Sequence, residues 1–304
     1  MDSSGTERAA ATHDAGPSEI IGVLKQGRRQ FLALVSHIRP ELLRYCARMT
    51  GSVADGEDVV QETLARACYE LSQMQAMPPL RPWLFRIAHN RAIDHWRHER
   101  LRAAEHDLEP DHSLARRQAV EAALGSFLAL APAQRGCVIL KDVLEHSLEE
   151  IAVELELSVP AVKAALHRGR VALQALGEAP PALRPRQTSA ALRRYASLFN
   201  AHDWDGVRSL LADDVRLDLV SRRKAAGRRD VGVYFGNYGR TAGWHLKPAW
   251  LEGREVLAVL DDPGSTSPRY FIELAWRTGE VAAIRDFRYV AYIAQETSIE
   301  LDVA

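Results

Sequence analysis

Cysteine is scarce: three in 304 residues, at Cys46, Cys68 and Cys137, far apart and with no C-x-x-C pair. That spacing offers neither a disulfide framework nor a zinc site, and it suits a reducing compartment. No run of about 18 apolar residues occurs, so no transmembrane helix is expected. Met1–Glu19 lacks a basic start followed by an apolar stretch. It therefore reads as a disordered tail of a cytoplasmic protein, neither signal peptide nor membrane anchor. Net charge is also small, at −1, which excludes a generic polyanion binder. His95 and His98 are the one close histidine pair in a polar segment. They lack further ligands nearby, so a solvated helix face is the better reading, and no metal or cofactor is implied. What is present is an ordinary globular composition, 47% hydrophobic, with length enough for two or three domains.

The near-zero average hides blocks of opposite charge. Arg81 to Arg102 carries six arginines against Asp94 and Glu99, whereas Lys141 to Glu156 carries one lysine against six acids. Separate blocks of this kind suit contact with nucleic acid at one and with protein at the other. Two breaks divide the chain. Residues 104–113 are acidic and broken by Pro110, and 177–187 hold Pro180, Pro181 and Pro185, the composition of an extended spacer. The expected organisation is a tail at 1–19, a helical block at 20–103, an acidic linker at 104–113, a second helical block at 114–176, a Pro-rich linker at 177–187 and a third domain at 188–304.

In the first block, Val60, Leu64, Ala67 and Leu71 recur at helical spacing and predict one buried stripe. Asp58, Gln61, Glu62 and Ala65 fall on the opposite arc, which by pattern alone is a solvated face. In the following helix Trp83, Phe85, Ile87, Ile93 and Trp96 interleave with the six arginines, Asn90 and Asp94. Cations bind phosphates, while aromatic and amide groups stack on or hydrogen-bond to unpaired bases. Trp83 and Ile87 read as core.

GEDVVQETLARA followed by RPWLFRIAHNRAIDHWRHER resembles region two of extracytoplasmic-function sigma factors of the sigma-70 family, in motif order and separation. The resemblance implies that Asp58, Gln61 and Glu62 dock on the β′ clamp helices of core RNA polymerase. It implies that Asn90, Asp94, Trp96, Arg97 and Arg100 hold the −10 element as single strand, offsetting unstacking costs of a few kcal/mol.

The second block carries a capping box at Ser147-Leu-Glu-Glu150, then Ile151, Ala152 and Leu155 as an apolar stripe. Ser158 is a second N-cap, with Pro160 in the first turn. Val162, Leu166, Gly169 and Leu173 fill the inner face of the next helix, which gives a helix-turn-helix. Lys163, Ala164, His167 and Arg168 lie outward. That face suits a recognition helix in the major groove, although a plain helical hairpin shows the same geometry. LAPAQRGCVILKDVLEHSLEEIAVELELSVPAVKAALHRGRVAL resembles sigma region four throughout. The resemblance implies −35 reading through Lys163, Ala164, His167 and Arg168, with Arg170 near phosphate and the β flap as a second polymerase contact. Ala164 stands where Ser is frequent. Gly169 stands where Ala is usual, at about 1 kcal/mol of helix propensity.

The third domain reads as helix, turn, helix over Thr188–Leu211, a short helix at Asp230–Tyr238, and strands at Val215–Leu219, His245–Leu251, Val256–Leu260, Tyr270–Trp276 and Val281–Tyr289. Helices followed by a curled antiparallel sheet predict an α+β domain. YASLFNAHDWDGVRSLLADDVRLDL resembles the opening of SnoaL-like domains, the cone-shaped fold of the nuclear transport factor superfamily. That fold wraps a pocket, for which Tyr195, Trp204, Tyr234, Trp244, His245, Asp286 and Arg288 are candidates. Asp286 is the best acid, but it has no partnered base, so a regulatory domain is expected rather than an enzyme. The whole is expected to be multidomain, with two all-α sigma domains followed by an α+β cone. A ligand, an anti-sigma partner and the promoter sequence are not legible.

Overall fold

The computed structural model describes residues 17–106, 124–176, 187–241, 243–297 and 299–302. Two compact units divide it, 1–37 and 38–304. The first unit holds α1 (Pro17–Leu34), which begins inside the stretch read as a tail. Residues 1–16 of that stretch lie outside the described residues.

In the second unit, α2 (Arg39–Thr50), α3 (Val53–Leu71) and α4 (Leu80–His106) form a bundle. Ser52 caps α3, its hydroxyl accepting from the Asp55 N–H at 3.3 Å. Three of the four residues of the predicted stripe are buried, Val60, Leu64 and Ala67, which join Leu42, Leu43, Tyr45 and Phe85 in the core, while Leu71 is half-buried. Each such aliphatic or Phe side chain contributes about 1.5–3 kcal/mol. Gly56 lets α3 cross α2 closely, since a Cβ there would lie 2.6 Å from the Ala47 backbone nitrogen. Helix α4 runs three residues into the stretch expected as an acidic linker. Ala104 and Glu105 are good helix formers, which suits the overrun. The remainder of that linker, and 177–186 of the Pro-rich one, lie outside the described residues.

Next come the short α5 (Gly125–Leu128), α6 (Pro132–Val138), a π turn at Ile139–Val143, α7 (Leu148–Glu154) and α8 (Val159–Ala175). Both halves of the capping box form, with Glu150 N–H donating to Ser147 Oγ at 3.1 Å and Ser147 N–H to Glu150 Oε2 at 2.7 Å. Ser158 accepts from the Ala161 N–H at the start of α8.

The C-terminal domain starts with α9 (Ala190–Asn200) and α10 (Trp204–Ser209). Strand β1 (Leu211–Leu219), β2 (Arg223–Ala226), α11 (Arg228–Gly239), β3 (His245–Leu251), β4 (Arg254–Leu260), β5 (Tyr270–Arg277), β6 (Glu280–Asp286) and β7 (Ile299–Leu301) follow. The seven strands lie in the order β2-β1-β6-β5-β4-β3-β7. Every neighbouring pair is antiparallel except β1 and β6, which run parallel. Helices α9 and α11 pack on this sheet, so the fold is α+β as expected. Two expectations change. The last strand stops at Asp286 rather than Tyr289, because Arg288–Glu296 turns into a 3-10 segment kinked at Val290. Strands β2 and β7 are too short, at four and three residues, to show an alternating pattern.

Candidate functional site: a DNA-reading face and a covered acidic face

Helix α8 sorts its residues as the 3.6-residue period requires. Val162, Ala165, Leu166 and Gly169 are buried, while Lys163, Ala164, His167, Arg168 and Arg170 are exposed. The five candidates for −35 reading thus share an open surface. Arg170 is engaged by Asp142 through Nε at 3.0 Å and Nη2 at 2.5 Å. Gly169 has a packing reason: a Cβ there would approach Val138 Cγ2 to 2.7 Å. The sequence-level cost in helix propensity is therefore accepted for close approach of α6 and α8.

The helix-turn-helix folds against the α2–α4 bundle through buried polar contacts that sequence reading missed. Arg135, 1% exposed, donates to the carbonyls of Met49 at 2.6 Å and of Leu128 and Leu130 at 3.0 Å. His146, also buried, bonds Glu154 at 2.8 Å and Glu41 at 2.9 Å, and Arg81 donates to Glu41 from beside the His146 ring. Burial works against a charge on His146, yet the bonds to Glu154 and Glu41 outweigh it and lift its pKa to about 9. Burial would raise Glu41, but His146 and Arg81 hold it at about 2. Tyr45 and His89 bond at 2.6 Å, and burial pushes His89 down to about 4.

On α4, Asn90 and Arg97 are exposed, and Asp94 and Trp96 are partly buried. Asp94 lies 3.3 Å from Arg91 and 3.8 Å from Arg97. The Trp96 ring sits beneath the Arg135 guanidinium, 5.7 Å from its centroid. The side chain of Arg100 lies outside the described residues. Trp83 and Ile87 are core, as read.

The polar arc of α3 does not face solvent throughout. Glu62 is exposed, but Asp58 meets Arg285 of β6 at 2.8 Å, and Gln61 donates to Glu57 at 3.4 Å. Glu57, fully buried and absent from the sequence-level candidates, bonds Arg39 at 2.5 Å and accepts the Tyr292 hydroxyl. Its charge within GEDVV was visible; its partner Tyr292, 235 residues onward, was not. Burial raises the Asp58 pKa to about 6, with Arg285 pulling the other way.

Inside the cone, Tyr195, Tyr234 and Asp286 are buried, while Trp204, Trp244, His245 and Arg288 are half-buried. Asp286 accepts from Tyr234 at 2.9 Å, Tyr238 at 2.8 Å and the Arg288 N–H at 2.8 Å. Burial nevertheless raises its pKa. Tyr238, one turn beyond Tyr234, was legible from that four-residue spacing, and Tyr270 reaches it at 3.0 Å. Phe199 touches Trp204, Tyr238 and Trp244 edge-on at 5.0–5.1 Å, so aromatic rings fill this interior. His245 lies 3.4 Å from the Asn200 amide, apart from Asp286 in the bonding pattern. A surface groove elsewhere is lined by Asp205, Arg208, Arg228, Arg229 and Val233, none of them among the pocket candidates. Among the described residues no cluster of His, Cys, Asp or Glu could hold a metal, and no helix is long and apolar enough to cross a membrane.

Comparison with known proteins matches these blocks to named modules. Residues 34–102 match Sigma-70 region 2, and residues 122–173 match Sigma-70 region 4. The ECF RNA polymerase sigma factor SigG of Mycobacterium tuberculosis is 31% identical over 214 residues, 59% of this chain and 58% of SigG. The chain thus spans little more than half the length of that relative. SigL of the same organism is 36% identical over 151 residues, 45% of this chain and 84% of SigL. The crystal structure of the Mycobacterium tuberculosis extracytoplasmic function sigma factor SigJ is similar at 21% identity and a TM-score of 0.35, covering 86% of this chain and 98% of that one. The class is therefore a protein built on sigma-70 regions 2 and 4. The chain belongs to the extracytoplasmic-function RNA polymerase sigma factors.

Proposed function

We propose that this chain directs core RNA polymerase to promoters in the cytoplasm. Region 2 docks on the β′ clamp helices through Asp58, Gln61 and Glu62. It holds the −10 strand through Asn90, Asp94, Trp96, Arg97 and Arg100. Region 4 reads the −35 element through Lys163, Ala164, His167 and Arg168, with Arg170 on phosphate and the β flap as a further contact. The observation that carries this reading is the sorted surface of α8, where the polar residues are open together while the apolar ones are packed. Side chains of this type on such a helix hydrogen-bond to base edges and phosphates. The domain over 188–304 regulates the other two rather than serving as an enzyme. In support, Asp286 already accepts from two tyrosine hydroxyls and a backbone N–H, bonds that hold it as part of the domain's interior.

Run-off transcription with purified core polymerase on a promoter library tests the reading. Transcripts should start downstream of a shared pair of elements and be lost in Lys163→Ala/Arg168→Ala. Absence of any transcript above core enzyme alone refutes it.

A further inference from the structure

From Arg216 to Arg229 the chain carries six cations and one acid, Asp218, in a protein whose net charge is −1. The structure gathers them on the β1–β2 hairpin and the first turn of α11. Strand β2 is the outer edge of the sheet, and its antiparallel register sets Lys224 opposite Asp218 and Arg223 opposite Leu219. The turn between the strands is tight. Ser221 takes a positive φ of 66°, and the Arg222 N–H donates to the Leu219 carbonyl at 2.7 Å. Arg39 of α2 donates to the Ser221 hydroxyl at 3.2 Å and so pins the turn. Next to it the Arg222 guanidinium lies over the Tyr289 ring, 5.4 Å from its centroid.

Cations on an edge strand ordinarily keep other strands from adding to it. That accounts for Arg223 and Lys224, but neither for Arg222 in the turn nor for Arg229 on a helix. The pairing separates these residues further. Most nearby acids are already engaged: Asp213 by Arg228 at 3.2 Å, Asp218 by Lys224 at 3.6 Å, Asp205 by Arg208 at 2.8 Å, and Asp214 by Arg277. Among the described residues, the side chains of Arg223 and Arg229 have neither ion pair nor hydrogen bond, and Arg222 has the tyrosine ring alone. All three are exposed, and of the acids over 205–230 Asp230 alone is left to offset them. Arg229 also lines the groove between α10 and α11, with Arg208 across from it.

We propose that this surface binds the sugar–phosphate backbone of double-stranded DNA, with Arg222, Arg223 and Arg229 on phosphates and no part in reading sequence. The inference rests on the sigma-factor reading above, because α8 is what brings a duplex to the chain. Guanidinium groups match phosphate through forked N–H donors. A duplex carries one negative charge per about 1.7 Å of its axis, so cations spread along a hairpin and a helix start all find phosphates at once. A single strand would be held by bases stacking on open aromatic rings, whereas the Tyr289 ring is already covered by Arg222. A lipid surface would need apolar side chains inserted beside the cations, and the turn presents Ser221 and Arg222 instead. Such a contact lengthens the stay of the chain on DNA without altering which promoter it selects.

The test measures binding of the full-length chain to a fluorescent duplex of unrelated sequence, by anisotropy over a range of salt concentrations. Arg223→Ala/Arg229→Ala is compared with the wild type and with Arg194→Ala/Arg240→Ala, which removes the same charge from two other exposed, unpaired arginines of the domain. The hairpin variant should bind at least about five-fold more weakly at low salt. Its slope of log affinity against log salt should be smaller by about 2, since each phosphate contact contributes about 0.9. The control should keep the wild-type slope. With core polymerase, both variants should start transcripts at the wild-type position. Equal affinity and slope in the two variants overturn the inference, as does a wild type that binds no duplex. Unchanged duplex binding together with lost binding to anionic vesicles or to a polyglutamate peptide also overturns it and gives the surface to another partner. Normal transcripts with an unchanged slope remove this inference alone, whereas no transcript from any form removes the sigma reading.

Discussion

Arg285 and Asp286 are consecutive on β6 and leave opposite faces of the sheet. Arg285 reaches out to Asp58, while Asp286 turns into the cone beneath Tyr234 and Tyr238. The strand end that carries the interdomain contact is thus held in place by a buried carboxylate.

Replacing that carboxylate should destabilise the domain. Asp286→Ala leaves the hydroxyl of Tyr234 and the N–H of Arg288 short of an acceptor, and Tyr238 with Tyr270 alone. Each unsatisfied buried donor costs about 1–3 kcal/mol. Calorimetry should show the unfolding of the full-length chain shifted down by several degrees. A shift within one degree would mean that these bonds are dispensable.

Gly169→Ala should destabilise region 4 even though alanine is the better helix former. The gain in propensity is about 1 kcal/mol, whereas the new Cβ would lie 2.7 Å from Val138 Cγ2 in a packed contact. Overpacking of this kind costs about 1–3 kcal/mol. Urea unfolding followed by circular dichroism decides the sign.

The clasp between regions 2 and 4 should weaken in alkali. His146 faces Glu41 from α2, Arg81 from α4 and Glu154 from α7, with Glu150 3.5 Å from Arg81. A histidine raised from 6.5 to about 9 contributes stability that is complete below pH 6.5. That contribution is lost as the pH rises through about 9. Melting temperatures between pH 6 and 10 should fall for the wild type, and the fall should be flatter for His146→Gln. Parallel profiles would exclude His146 as the titrating group.

Arg168 and Arg170 should separate by role. Arg168 is exposed on α8, so Arg168→Ala should change stability by no more than about 0.5 kcal/mol. Discrimination of the −35 element should drop by about 1–3 kcal/mol, the worth of a bidentate base contact. Arg170→Ala should weaken binding evenly across sequences and reduce its salt dependence. Titrations against matched and mismatched −35 duplexes at two salt concentrations check both.

The helix-turn-helix was legible because its determinants are local. Ser147 and Ser158 as caps, the Ile151–Leu155 stripe and the inward Val162, Leu166 and Gly169 all lie within a few turns of one another. The same holds for the buried face of α3 and for strands β3 to β5, where period and turn residues speak for themselves. The strand alternation also suggested a sheet, but not that β1 would lie parallel beside β6, with Leu211 opposite Val281 and Leu219 opposite Asp286. Nothing local marks such a pairing. The amino-acid order made Glu57 and Asp58 acidic and placed them on α3. Only the tertiary structure decided that Tyr292 and Arg285 would meet them, because a charge on an amphipathic helix is equally at home against water or against a cation. Which one it meets depends on the surfaces that distant segments bring together.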